Sequence, residues 1–466
     1  MSKASWKLLA AAAFGALIWV MPVPEGLHET AWHLFAIFAA TILGFILQPL
    51  SLGAMAFISL TVTALTGVLK VTDVLSGFSQ ATVWLIVGAF LFSRGFVKTG
   101  LGKRIAFYLI RYFGTSSLGL AYVLICSDLI VAPATPSNTA RLGGVIFPIT
   151  RSLSSSFGSE PGATAKRFGS FFMQAVYHGD TPVSGMFMTA MAGNPLMASL
   201  ALAVGVEITW GSWFLGAAVP ALISLLLIPI VLYYLENPEI KKTPEAKAFA
   251  EKELAEMGPM KSEEKKLAFI FVSALGLWAT TQITGLNATL IGMAAISAMI
   301  LFHVLEWKDV IEEKSAWDTM IWMGGLICLA GFLNKTGMIP WFSQQVGASL
   351  SGFAWEISWL LIVLLYTYSH YLFASLNAHI AAMFAAFLAV GAAAGIPPYL
   401  LTMSLFGCTA IMQGVTHYAA GPTPIFFGAG FVSQARWWRN GLIVSFLNLV
   451  IWIGGGAVWW KIIGFW

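Results

Sequence analysis

The chain has 466 residues, of which 58% are hydrophobic and only 10% charged, with a formal net charge of +4. Soluble domains carry roughly a quarter charged residues, so this composition excludes a water-soluble globule and leaves lipid to cover much of the surface. The small, scattered positive excess also excludes a nucleic-acid surface.

The N-terminal stretch places Lys3 and Lys7 around the start of an apolar run at 6–22, the layout of a signal peptide. It lacks a small-residue cleavage site and is followed by more apolar segments, so residues 1–30 read as a retained first membrane helix. No Ser/Arg-rich transit segment precedes it, which points to a bacterial plasma (inner) membrane. Runs of crossing length, roughly 17–25 residues, recur near 31–50, 53–69, 82–97, 181–203, 210–235, 267–283, 286–305, 317–334 and 437–463. The 19 Trp and 34 Phe suit the two membrane interfaces. Three further runs, 118–150, 355–395 and 398–432, are apolar but broken by Pro, Gly, Ser, Asn and His. Irregular backbone at membrane depth is tolerated only when buried in protein or lining a cavity, so these runs are the functional candidates. Cys126, Cys328 and Cys408 lie in apolar stretches without metal-ligand spacing and read as small buried hydrophobes.

Residues 236–266 stand apart, holding eight Glu and seven Lys of the chain's 46 charged residues. The segment is expected in water, as a cytoplasmic surface helix between two halves, 31–235 and 267–466. The halves echo each other. Lys98-Thr99-Gly100 recurs as Lys335-Thr336-Gly337, offset by 237. Ser137-Asn138 in Pro136–Arg141 is echoed by Ser375 and Asn377 in Ala374–His379, offset by 238 at the serine. Val176-Tyr177-His178 recurs as Val415-Thr416-His417, offset by 239. Duplicated halves with interrupted segments at matching positions are the best sequence pointer to a transporter site.

In 118–150, apolar flanks surround a Pro-Ser-Asn-Thr centre, and neither arm looks long enough for a full span beside Pro133 and Pro136. A hairpin fits, with Ser137, Asn138 and Thr139 at its tip and the second arm's positive dipole end facing an anion. A second hairpin within 355–395 presents Ser375 and Asn377, so two facing tips can each hold one carboxylate of a dicarboxylic acid. A plain helix N-cap is the alternative use of Ser, Asn and Thr. Four residues after each serine stands a basic residue, Arg141 or His379, placed to compensate anionic charge; for Arg141 an ion pair with Asp128 is the alternative. Two polar breaks follow: His178-Gly179-Asp180-Thr181-Pro182 running on to Thr189 and Asn194-Pro195, and His417 to Gly421, Pro422, Thr423 and Pro424. Each reads as an unwound point in a crossing helix, with Thr189, Gly421 and Thr423 as substrate contacts and freed carbonyls able to bind cations. The chain shows no pair of intramembrane acids, no metal-spaced histidines and no nucleophile elbow. It therefore reads as a transporter, not an enzyme, with no cofactor and no metal.

At Pro136–Arg141 with Gly143–Pro148, at His370–Ser375 with Ala378-His379, and at Met186–Ala192 with Asn194–Leu196, the sequence resembles the divalent anion/sodium symporter family. The resemblance runs through nearly the whole chain and is strongest to the 2-oxoglutarate/malate and citrate/succinate translocator branch. It implies an all-α polytopic membrane protein with about eleven membrane helices, two inverted repeats, a re-entrant hairpin and an unwound helix in each, and a homodimer. Each protomer would have a scaffold and a transport domain that moves as an elevator. The second motif here is Ser375-Leu376-Asn377 rather than Ser-Asn-Thr, and both motifs precede a basic residue, as in the exchanger branch. The resemblance thus implies exchange of C4/C5 dicarboxylates (2-oxoglutarate, malate, succinate, with citrate as a further candidate) without sodium. A sodium-coupled symporter of the same fold is the alternative.

Overall fold

The computed structural model describes residues 3–350 and 354–466. Met1 and Ser2 of the expected first helix, and Ser351, Gly352 and Phe353 of the second half, lie outside the described residues. Among the described residues the regular elements are all helices, and seven of them are long and apolar enough to cross a membrane. Shorter apolar helices include Ala4–Val20, Leu52–Leu65, Ala288–Leu301 and Pro398–Met412. The helices follow the hydropathy, and their ends follow local chemistry. Ser51 accepts from the Ala54 amide at 3.3 Å, and Thr209 with Ser212 forms a reciprocal cap. The Lys-Thr-Gly recurrence has the same origin. It closes Ala81–Thr99 and Lys314–Lys335, with Gly100 and Gly337 at φ 79° and 90° in the left-handed region. The lysines sit in the last turn, where the helix dipole favours a cation.

One crossing differs from expectation. The run 181–203 is not one helix. Gly169–Met186 continues straight through Pro182, the chain then unwinds at Phe187–Ala192, and Gly193–Ala201 follows. Pro182 has no amide for the His178 carbonyl, but the Thr181 hydroxyl donates to that carbonyl at 2.8 Å, which keeps the turn closed. The arms of the hairpins also differ. Ser117–Ala134 and Leu376–Ala393 reach 18 residues each, about 27 Å of helix against a hydrocarbon core of about 30 Å. Arm length alone therefore does not mark a hairpin. The burial of its tip does: Pro133, Ala134, Thr135 and Asn138 lie inside the protein.

The segment 236–266 is a helix, Glu245–Met257, but it does not lie wholly in water. Ala246 and Ala250 are buried, and Phe249 meets Phe107 edge-on at 6.2 Å, against the helix Leu101–Phe113. Both ends of the segment are anchored by buried ions. Glu236 accepts from Asn440 at 2.6 Å and pairs with Arg436 at 3.4 Å. Glu264 receives Arg104 Nε on both oxygens, at 3.1 and 3.2 Å, while Arg104 Nη1 donates to the Gly258 carbonyl. Buried charges persist only when paired in this way. On the exposed Trp307–Glu312 helix, Asp309 bonds Lys98 at 2.6 Å. Partial burial works against the Asp309 carboxylate, yet Lys98, the Glu306 amide and Arg94 hold it below the usual carboxylate range. Of the cysteines, Cys328 and Cys408 are buried as expected; Cys126 is exposed on the outer face of its arm.

Candidate functional site

Two helix N-termini meet at one cavity. The second arm of the first hairpin runs from Thr139 through a π-helical stretch to Ile146 and on through Phe147–Ser156. The corresponding arm of the second hairpin starts at Leu376–His379 and passes through a π-helical stretch at Ile380–Phe384. Such π-turns frequently mark functional positions. Each arm is capped by its serine. Ser137 Oγ accepts from the Ala140 amide at 3.1 Å, and Ser375 Oγ accepts from the Ala378 amide at 3.4 Å. The capping and ligand-binding uses do not compete. The cap consumes an oxygen lone pair and leaves the hydroxyl proton free. The first amides of each arm have no intrahelical partner by position, so both arms present unpaired N–H groups and a positive dipole end to the space between them.

That space is a cavity of about 170 Å³ lined by Ser137, Asn138, Thr139, Ser375, Asn377 and Gly421, with Phe90, Pro136, Met191, Ala192, Thr319 and Leu376 completing the wall. It thus gathers six of the ten residues singled out in the sequence. Asn138 is aimed by a partner, its Nδ2 donating to Gln413 Oε1 at 2.9 Å. Gly421 faces Thr139 so closely that a Cβ there would overlap Thr139 Oγ1. No side chain lining the cavity is charged.

The other four lie behind the cavity wall. Arg141 is fully buried and does not line the cavity. Its Nε bonds Asp128 at 2.5 Å, its Nη2 bonds Asp180 and also Ser184 at 3.0 Å, and its Nη1 donates to the carbonyls of Thr135 and Ala190 at 2.8 and 2.9 Å. Two intramembrane acids therefore do converge, contrary to the sequence expectation, and they converge on an arginine. His379 is enclosed by Tyr366, His370 and Phe373, its Nε2 paired with Ser369 Oγ at 2.9 Å. Thr189 donates to the Pro133 carbonyl at 2.5 Å and accepts from Trp210 Nε1 at 3.1 Å. Thr423 bonds the Tyr177 hydroxyl at 2.5 Å and accepts from the Ala420 amide at 2.9 Å. All four tie the tips and breaks to their supports.

The breaks carry a feature that the sequence did not reveal. Several of their carbonyls accept from side-chain donors of the chain itself. In the first, Asn194 Nδ2 holds the carbonyls of Ser184 and Phe187 at 2.8 and 3.0 Å, and Arg141 holds that of Ala190. In the second, Tyr177 holds the Gln413 carbonyl at 2.5 Å, Trp437 that of Thr416 at 3.2 Å, and His370 that of Ala419 at 2.8 Å. Gln413 and Tyr177 drew no functional reading from the sequence because neither is marked out by its neighbours. Their partners lie more than 200 positions away. Thr189→Val keeps the side chain's shape and strands the Pro133 carbonyl and the Trp210 indole. It is expected to cost about 1–3 kcal/mol, seen as a lowered melting temperature in detergent; an unchanged melting temperature would remove Thr189 from this support.

Residues 2–466 match the family described as the sodium:sulfate symporter transmembrane region. The chain is 49% identical over 461 residues to the provisionally named malate transporter YflS of Bacillus subtilis, covering 98% of this chain and 96% of that one. It is 44% identical over 463 residues to the chloroplastic dicarboxylate transporter 1 of Arabidopsis thaliana, covering 98% and 83%. Its fold resembles that of the YdaH transporter of Alcanivorax borkumensis, with a TM-score of 0.56 at 13% identity over 99% of this chain and 97% of that chain.

Proposed function

Since the chain belongs to the divalent anion/sodium symporter family, matched as the sodium:sulfate symporter transmembrane region, and is a multi-pass transport protein rather than an enzyme, we propose that it exchanges C4/C5 dicarboxylates without sodium. 2-Oxoglutarate, malate and succinate are the candidate substrates, with citrate as a further one, and a bacterial plasma membrane is the proposed location. The names of the relatives support a dicarboxylate. The two opposed N-termini support it independently, because each can take one carboxylate. Residues 31–235 and 267–466 are read as inverted repeats of a homodimeric elevator. The shared order of capped arm, π-turn and break in each half supports the repeats.

One observation carries sodium independence: five carbonyls in the two breaks, those of Phe187, Ala190, Gln413, Thr416 and Ala419, accept from side-chain donors. A sodium ion needs several oxygens around it, and here Arg141, Asn194, Tyr177, Trp437 and His370 compete for five of those the breaks offer. Arg141 joins the first tip to the first break at Thr135 and Ala190, as a bound cation would. The charge argument for exchange changes, because Asp128 and Asp180 already neutralise Arg141. The penalty on the empty carrier comes instead from the tips. Their hydroxyl and amide donors lose water during the crossing, at about 1–3 kcal/mol for each group left unpaired. Substrate on the return leg removes that cost, which favours exchange.

In proteoliposomes, replacing sodium by choline is expected to leave malate uptake unchanged, while removing internal dicarboxylate abolishes it. Uptake that follows the sodium gradient and ignores internal substrate would favour the symporter alternative.

A further inference from the structure

Beside the central cavity lies a second one, of about 290 Å³, whose lining includes Gln80, Thr82, Ser199, Asn334 and Lys335. Lys335 is the one charged residue in that lining among the described residues. Four segments wall both cavities, and on each the second lining lies seven or more positions along the chain from the first. Phe90 gives way to Thr82, Thr319 to Ile327, Met191 to Ser199, and Asn377 to Ala385. Eight helical residues rise about 12 Å. On the two continuous helices of these walls, Ala81–Thr99 and Lys314–Lys335, the cavities therefore follow one another, with their nearest linings about 12 Å apart.

The lysine at its mouth is the second copy of the Lys-Thr-Gly recurrence, and the two copies differ in their surroundings. Lys98 is bonded to Asp309 at 2.6 Å, with Glu306 at 4.0 Å. Lys335 is exposed, lies over the Phe332 ring at 4.7 Å, and has no ion pair among the described residues. The first lysine's charge is neutralised where it stands, while the second's is free to act on a solute.

We propose that this outer cavity is a vestibule that captures dicarboxylate anions, with Lys335 drawing them onto the axis that leads to the Ser137 and Ser375 tips. Four of its walls belong to the same segments that hold the central cavity, so an anion released from the lysine meets the tips next. The proposal rests on the dicarboxylate reading above. It deepens that reading by giving one face of the carrier an electrostatic advantage that the other lacks.

The test is the concentration dependence of malate exchange in oriented proteoliposomes, read at each face. Lys335 stands sixteen positions from Thr319 on the Lys314–Lys335 helix, about 24 Å, and a unit charge acting on a dianion across that distance of water changes local concentration about twofold at low ionic strength. Lys335→Gln is therefore expected to raise KM about twofold at one face only, and Lys335→Glu about threefold. Maximal rate stays at the parental value in both. Lys335→Arg stays parental in both constants, and the differences vanish near 1 M salt, where screening reaches about 3 Å. Unchanged KM at both faces in Lys335→Glu would overturn the proposal, as would a loss confined to maximal rate. A parent that exchanges no dicarboxylate would count against the functional reading alone. The vestibule is then read by labelling Gln80→Cys, where Lys335 is expected to speed an anionic methanethiosulfonate over a cationic one. Equal labelling rates with and without Lys335 would sink it.

Discussion

Arg141→Ala is expected to lose about 3–5 kcal/mol of stability, the cost of leaving buried charge without its partner, and to lose exchange with it. The arginine uses all three guanidinium nitrogens on five groups: two carboxylates, one hydroxyl and two carbonyls. These groups belong to the first arm, the tip, the Gly169–Met186 helix and the break beyond it. Removing the side chain leaves Asp128 and Asp180 facing each other and frees the carbonyls of Thr135 and Ala190. Arg141→Lys keeps the charge but has one nitrogen, and it is expected to recover only part of the loss. Asp128→Asn and Asp180→Asn together with Arg141→Met remove the whole buried ion cluster. That triple variant is expected to melt well above Arg141→Ala, because replacing an entire buried ion group costs less than breaking it. A second readout separates support from charge. The vacated site in Arg141→Ala has oxygen ligands suited to a hard cation, so sodium is expected to raise its melting temperature and to leave the parent unmoved. An Arg141→Ala protein as stable as the parent, or equally indifferent to sodium, would refute the account of Arg141 as a fixed cation at the break.

Much of this fold was legible because hydropathy alone places helices in lipid. The tips were legible because Ser137 and Ser375 had to serve as caps whatever else they did. Their offset of 238 therefore survives in the structure as a pair of matched arm starts. The third recurrence did not carry through. Tyr177 and His178 lie within the Gly169–Met186 helix, whereas Thr416 and His417 lie in the second break. The second break starts 226 residues after the first, at Gln413 against Phe187, so matching residues occupy different parts of their halves. The role of Arg141 was legible only in part. Asp128 was visible as a neighbour on the same hairpin, 13 positions away, but Asp180 and Ala190 lie 39 and 49 positions away. Spacing on a single helix cannot report a side chain that turns away from the tip to brace the break behind it. Nor could hydropathy show that Glu236 and Glu264 are buried, since a run dense in charge looks solvated until its partners on other helices are known.

Asn138→Ala and Asn377→Ala are expected to differ in stability and agree in transport. Asn138 is held by Gln413, so its removal strands a buried amide oxygen and is expected to cost about 1 kcal/mol. Asn377 lines the cavity with no side-chain hydrogen bond among the described residues, so its loss leaves the melting temperature near the parent's. In transport each variant loses a hydrogen bond to a charged carboxylate, about 1.5–3 kcal/mol. That corresponds to roughly 10- to 150-fold in apparent affinity. Gly421→Ala tests the same cavity from its third side. Its methyl group would occupy the place of Thr139 Oγ1, so the threonine must turn out of the tip. The helix ends nearby need not move. Exchange is therefore expected to fail in a protein that inserts and melts normally. If Asn377→Ala and Gly421→Ala both exchange malate at the parental rate and affinity, the dicarboxylate does not bind between these tips. The cavity would then be a packing gap where two capped helices meet.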